Sequence, residues 1–110
     1  MNAKKFGTSK FQEKVYRAVR LIPRGYVTTY GILAAQIGCL SCRAVGQALK
    51  RNPYAPDVPC HRVISSDFKI GGFQGRTGGV AIRRKMELLQ KEGVLFPNGM
   101  LSDCSRVFRF

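Results

Sequence analysis

Acidic residues are scarce in this 110-residue chain. Six Asp and Glu stand against nineteen Lys and Arg, a formal net charge of +13. The usual partners of such a field are nucleic acid or an anionic membrane surface. The basic residues run through the whole chain, which favours a folded basic surface over a disordered arm. On charge alone a structural RNA-binding protein also fits. No apolar run is long enough to cross a bilayer, so no membrane partner is expected. The start, Met1-Asn2-Ala3-Lys4-Lys5, carries no apolar signal core. The default location is cytoplasmic, nucleoid-associated in a prokaryote or nuclear in a eukaryote. Histidine occurs once, at His61, and no H-x-x-x-H is present. Beside Cys39-Leu40-Ser41-Cys42 there is no second C-x-x-C. Zinc would have to recruit Cys60, His61 or Cys104, and a disulfide would be unusual in a reducing cytosol. The expectation is two unconnected thiols, no metal and no cofactor. Internal repeats are absent. The glycine-rich stretch from Gln74 to Gly79 lacks the lysine and Ser or Thr of a phosphate-binding loop. Hydrophobic content of 45% is that of a globular protein, and the length suits one domain, 1–110, with a modest core.

What is present reads mainly as helix. Ser9 and Gln12 have capping-box spacing. Phe11, Val15, Val19 and Ile22 then form one apolar stripe, ended by Pro23-Arg24-Gly25. Tyr26-Val27-Thr28 is a short β-prone piece. Thr28 or Thr29 can cap a second helix, Tyr30 to about Ile37, with Ile32, Leu33 and Ile37 inward. Gly38 is placed to close it in the left-handed conformation. Ser41 can cap a third helix to about Arg51. Helix, glycine turn, helix is the helix-turn-helix pattern, here about 29–51. On the third helix Val45, Ala48 and Leu49 share one face; Arg43, Gly46, Gln47 and Lys50 share the other. Such a basic, small-residue face can press against a nucleic acid, or be an ordinary solvated face. Arg62 to Ser65 is expected as a strand, with Phe68 to Phe73 returning. A last helix runs from Val80 to Glu92, with Ile82, Met86 and Leu89 inward. Arg83, Arg84 and Lys85 crowd its start, where cations oppose the helix dipole and invite an anionic partner. The tail from Val94 to Phe110 turns at Pro97-Asn98-Gly99.

The chemistry is expected at Pro59-Cys60-His61-Arg62-Val63. A cysteine reacts as thiolate, and a neighbouring base or cation makes thiolate available near neutral pH. Adjacent residues of a strand point to opposite faces. Cys60 and His61 can therefore cooperate only if the chain turns here, or if a water or a third residue relays between them. A buried, inert Cys60 beside a loop histidine is the plain alternative.

Together these motifs resemble the O6-alkylguanine-DNA alkyltransferases. Pro59-Cys60-His61-Arg62-Val63 matches their active-site signature. Arg43-Ala44-Val45-Gly46 followed by Asn52-Pro53 matches their recognition helix, and Val27-Thr28-Thr29-Tyr30-Gly31 the start of the helix before it. Gly72-Phe73 and Lys91-Glu92-Gly93 also fit, so the likeness runs from about Phe11 to Val94. The resemblance implies a winged-helix-like domain, mainly α with short β pieces, acting as a monomer. It would bind double-stranded DNA containing O6-alkylguanine through the minor groove and rotate the damaged base out of the stack. Cys60 would accept the alkyl group irreversibly, once per molecule. His61 would be its water-mediated base, Glu92 the acid holding the histidine, and Asn52 a brace for the loop. Arg43 would replace the flipped base. Tyr30 would help rotate it, beside Thr29, Ala44, Gly46, Gln47 and Lys50 on the DNA. Tyr30, Phe73, Lys85 and the carbonyls of Cys60 and Val63 would contact the base. Against the family pattern, the expectation for 1–110 is the active-site and DNA-binding domain without the family's N-terminal domain, and the 74–79 loop is longer than usual. Alkyltransferase-like proteins, which lack the cysteine and only flag lesions, and plain helix-turn-helix proteins are the alternatives.

Overall fold

In a computed structural model that describes residues 8–73 and 78–110, short-range capping starts each of the first three helices. Helix α1, Lys10–Val19, opens with a complete capping box: Ser9 Oγ accepts from the Gln12 amide, and Gln12 Oε1 accepts from the Ser9 amide. It buries Val15, Tyr16, Ala18 and Val19. It ends sooner than the apolar stripe suggests; Ile22 lies in the turn beyond it and is still buried. After a turn at Pro23–Tyr26, strand β1 is only Thr28–Thr29. Thr29 Oγ1 accepts from the Ile32 amide and so caps α2, Tyr30–Gln36. Its inward residues are Leu33 and Ala34, while Ile32 and Ile37 are half-buried. Gly38 has φ +71 and follows the helix as expected. Ser41 caps α3, Cys42–Lys50, which buries Val45, Ala48 and Leu49. The Tyr16 hydroxyl donates to the Ala48 carbonyl at 2.6 Å and ties α1 to α3.

Beyond α3 the regularity is looser. Cys60–Arg62 forms a single 3-10 turn, and strand β2 is Val63–Ile64, half the length the sequence suggests. It pairs parallel with β1, Thr28 opposite Val63 and Thr29 opposite Ile64. Phe68 to Phe73 is not the expected return strand. Phe68 sits at φ +67, and Lys69 makes one bridge, to Met100. Helix α4, Val80–Lys91, follows; the 74–77 part of the glycine-rich loop lies outside the described residues. Inside α4, Leu89 is buried, Ile82 and Met86 only partly. Lys85, read from the sequence as one of a basic cluster, is instead fully buried. The tail returns to β1. Phe108 N–H donates to the Val27 carbonyl, Val27 N–H to the Arg106 carbonyl, and Thr28 Oγ1 to the Phe108 carbonyl.

Two apolar clusters hold these elements. One joins α1, α2 and α3 to Val58, Cys60, Val63 and Phe73. The other joins Val27 and Ile64 to Leu89, Val94, Phe96 and Leu101. The short parallel pair lies between them. It sets Tyr30, which directly follows β1, against the chain that carries Cys60 into β2. Gly71 completes the approach at φ +72. A Cβ there would come within 3.1 Å of the Ser65 amide nitrogen and 3.6 Å of the Tyr30 ring.

Candidate active site

The 3-10 turn supplies the bend that lets neighbouring residues serve one site. Cys60 and His61 are both buried, at 8% and 6% exposure. His61 Nε2 lies 2.9 Å from Glu92 Oε2, at the C-terminal cap of α4. Arg62 grips the same carboxylate with two parallel bonds, Nε to Oε1 and Nη2 to Oε2, both 2.9 Å. Its Nη1 donates to the Ile22 carbonyl. Burial alone would raise the Glu92 carboxyl, but the bonds from Arg62 and His61 outweigh it and hold it below its ordinary value. Glu92 is therefore ionised, and Nε2 carries the proton it shares with that carboxylate. Burial, against the pull of Glu92, lowers the His61 imidazolium below its usual range. A neutral ring with a free lone pair on Nδ1 results.

Burial pushes the Cys60 thiol up, opposed by the Asn52 amide and the Lys85 ammonium. A resting thiol with a neutral imidazole next to it needs a proton acceptor before it can attack. Asn52 Nδ2 donates to the Val58 carbonyl at 2.9 Å, and its Oδ1 accepts from the Tyr54 amide at 2.9 Å. It spans the loop that delivers Cys60. Lys85 Nζ donates to the carbonyls of Val63, Ile70 and Gly72 at 2.6–2.8 Å. Those bonds use all three ammonium donors. Lys85 thus fixes the end of the Phe68–Phe73 loop against β2, and Val63 O keeps one lone pair for another donor. Burial pulls Lys85 down to about 7, with Cys60 pulling the other way, while the three carbonyl bonds require the ammonium form and hold it charged.

Cys60 opens on two sides. A cleft of about 30 Å³ toward α3 is bounded by Tyr30, Gly46, Leu49, Lys50 and Phe73. That is room for little more than one water. Burial raises the Tyr30 phenol, and Cys60 adds to the effect. The outer face of α3 carries Arg43, Gln47 and Lys50, all exposed, with Ala44 and Gly46 half-buried between them. A Cβ on Gly46 would meet nothing within 4 Å, so this part of the helix surface is open to a close-fitting partner. Thr29, expected near DNA, is buried and used as a cap. The four cysteines are free thiols. Among the described residues no three Cys, His, Asp or Glu side chains gather as a metal site, and no helix is long and apolar enough to cross a membrane.

Sequence reasoning missed Arg62, which sits inside the signature and orients Glu92 from 30 residues away. Its only signal was its place two residues after the cysteine.

A helix-turn-helix domain with a buried cysteine, and a histidine–glutamate pair at the next residue, defines a DNA-binding domain built around a thiol. The chain belongs to the 6-O-methylguanine DNA methyltransferase family: the model of that family's DNA-binding domain matches residues 10–94. A methylated-DNA–protein-cysteine methyltransferase of Pyrobaculum aerophilum is 51% identical over 67% of this chain and 46% of its own. A DNA base-flipping protein of Thermus thermophilus is 45% identical over 81% of this chain and 56% of its own. The chain thus spans about half the length of the curated relatives it matches. Among solved structures, an ATL protein of S. pombe in complex with DNA superposes with a TM-score of 0.77. It is 33% identical over 94% of this chain and 99% of that one. The mainly helical helix-turn-helix fold with its short strands is shared with these neighbours.

Proposed function

We propose that this chain repairs DNA by direct reversal, moving the alkyl group of an O6-alkylguanine to Cys60. The observation that carries this is the placement of Cys60 between the α3 face and the His61–Glu92–Arg62 chain. The α3 face, with Arg43 and Lys50 exposed, meets the minor groove of the duplex. Tyr30 and Arg43 help the lesion out of the stack and hold the gap it leaves. The 30 Å³ cleft must widen to admit a base, so Tyr30 and Phe73 move apart on binding. His61 Nδ1 then takes the thiol proton through a water, and Glu92 stabilises the imidazolium. The thiolate attacks the alkyl carbon, the carbon–O6 bond breaks, and its electron pair stays on the guanine, which is reprotonated at nitrogen. The thioether so formed is not hydrolysed by water at neutral pH, so each molecule acts once. The chain acts as a monomer, a single domain over 1–110, in the compartment that holds the DNA.

Incubation with duplex carrying O6-methylguanine should add the mass of one methyl to the peptide that contains Cys60, stopping at one equivalent. Cys60→Ala should abolish transfer and keep DNA binding. Methyl on Cys42 or Cys104 would defeat the assignment. One observation favours a second reading: the ATL protein matches nearly the full length of both chains. If the mass never changes while lesion-bearing DNA is held tightly, the chain is a lesion-flagging protein.

A further inference from the structure

A groove on the flank of α1 takes no part in the site described above. It has a volume of about 310 Å³. Its walls are Lys14, Arg17 and Ala18 of α1, Leu21 just beyond it, and Gln36 and Ile37 at the end of α2. Lys14, Arg17 and Leu21 recur at helical spacing along one edge. Tyr16, on the opposite flank, reaches the Ala48 carbonyl of α3. The groove shares no residue with the outer face of α3, with the cleft beside Tyr30, or with the cavity of about 280 Å³ on the other side of Cys60. DNA on α3 therefore leaves it open. Its floor is apolar: Ala18 is buried, Ile37 half-buried and Leu21 60% exposed. Its rim is positive. Lys14 and Arg17 are exposed, and among the described residues neither has an ion pair. No carboxylate lines the groove. Glu13, next along α1, is taken by the Tyr54 hydroxyl.

We propose that this groove docks an acidic segment of a partner protein, with aliphatic side chains seated on Leu21 and Ile37 and carboxylates on Lys14 and Arg17. A phosphate backbone would satisfy the cations and leave the apolar floor in water. A second copy of this chain does not supply the acids. Of its six, Glu13 is bonded to Tyr54, Glu92 to Arg62 and Asp103 to Ser105. Asp57, Asp67 and Glu87 stand on three separate segments of a chain that carries +13. Because the groove and the α3 face are separate, the partner and the duplex are held at the same time.

The test titrates the isotope-labelled chain, at physiological salt, with the blocked peptide Glu-Asp-Leu-Leu-Asp-Glu and follows the backbone amide shifts. Saturable shifts should centre on Ala18, Leu21, Gln36 and Ile37. Replacing both peptide leucines by alanine should weaken binding about tenfold, as apolar side chains leave the groove. Replacing the peptide acids by their amides should weaken it about tenfold too, as should Lys14→Glu combined with Arg17→Glu in the protein. The peptide changes leave the fold untouched, so the result does not depend on the protein variant. Saturating undamaged duplex should change the peptide affinity by less than about twofold, because the two surfaces are independent. Shifts centred on Arg43, Gln47 and Lys50, or binding indifferent to the leucines, would mark the peptide as a general polyanion and overturn the proposal. Absence of saturable shifts overturns it as well. Displacement of the peptide by duplex would assign the groove to DNA. Self-association of the native chain that Leu21→Asp abolishes would assign it to a second copy. Either result defeats the acidic partner.

Discussion

The outer face of α3 and the turn at Cys60 use charge in opposite ways. On α3, Arg43 and Lys50 point to solvent, and among the described residues neither has an ion pair. Behind Cys60 the buried charges are paired. Lys85 has three carbonyls, and Glu92 has His61 and a two-pronged Arg62. Among the described residues no buried side-chain nitrogen or oxygen lacks a partner. The first region is built to gain partners that the protein does not contain. The second is built so that nothing except the thiol proton is free to move. Substitutions in the two regions should therefore fail differently: on α3 in binding and base extrusion, around Cys60 in chemistry and stability.

The largest expected effect tests the second region alone. His61→Ala should slow methyl transfer by about 10²–10⁴-fold, the usual contribution of a positioned base. DNA affinity should stay within about twofold, because α3 is untouched. The fold should also hold, because Glu92 keeps both bonds from Arg62. Glu92→Ala should cost less in rate, since water can partly orient the ring. It should cost more in stability, about 3 kcal/mol by urea unfolding, because a mostly buried guanidinium loses its carboxylate. Equal rate losses in the two variants would remove the distinction between base and orienter. In the native chain the rate should climb as pH rises above neutrality. Cys60 is raised, so its thiolate fraction grows about tenfold per unit until its pKa is passed. His61 is lowered, so it is already neutral there. A rate that falls between pH 7 and 8.5 would break this account.

Next in size is Lys85→Met. The side chain is nearly isosteric, but three carbonyls from β2 and the Ile70–Gly72 loop lose their common donor. The loss should be about 3 kcal/mol, read as a lower midpoint in thermal or chemical unfolding. An unchanged midpoint would mean that the loop is held by other contacts.

How far the two regions were legible follows from how local their causes are. The caps at Ser9, Thr29 and Ser41 and the turn at Gly38 each act within three or four residues, so composition and spacing reveal them. The buried face of α3 is legible for the same reason: Val45, Ala48 and Leu49 recur at helical spacing. The inner region is held by long-range contacts. Arg62 meets Glu92 and Ile22, Thr28 meets Phe108, and Lys85 meets Val63 across 22 residues. The helical period of α4 puts Lys85 on the face of Ile82, Met86 and Leu89, beside two exposed arginines, but its charge argues against an inward place; the three carbonyls waiting there are what make a buried lysine possible. The residue types Cys60, His61 and Glu92 were readable through family likeness, whereas the clamp that orders them was not. The shortness of β2 has a similar cause. Its first expected residue, Arg62, is taken by the turn that brings it to Glu92.

On α3 the expected effects are smaller and of another kind. Arg43→Ala should slow repair of duplex DNA roughly tenfold, through the few kcal/mol needed to unstack a base. Reaction with free O6-benzylguanine, which needs no extrusion, should hardly change. Equal losses on both substrates would move Arg43 into the chemistry and erase the contrast between the regions. Affinity for undamaged duplex should fall steeply with salt, each neutralised phosphate contributing about 0.9 to the log–log slope. Arg43→Ala and Lys50→Ala should each reduce that slope by about one phosphate, and His61→Ala should leave it alone.

The smallest effect is expected at the hinge of the helix-turn-helix itself. Cys39 is half-buried, and its Sγ accepts from the Ser41 amide at 3.3 Å. A serine hydroxyl at 39 can accept the same bond. Cys42 is exposed at the first residue of α3 and touches no part of the site. Replacing both by serine should change stability by less than about 0.5 kcal/mol and leave transfer and DNA affinity as they were. The α3 cap depends on Ser41, which the substitution does not alter. Were the double variant to keep its fold and lose transfer, the thiols at 39 and 42 would be part of the chemistry. The separation of an outward-facing helix from an inward-facing reaction centre would then be wrong.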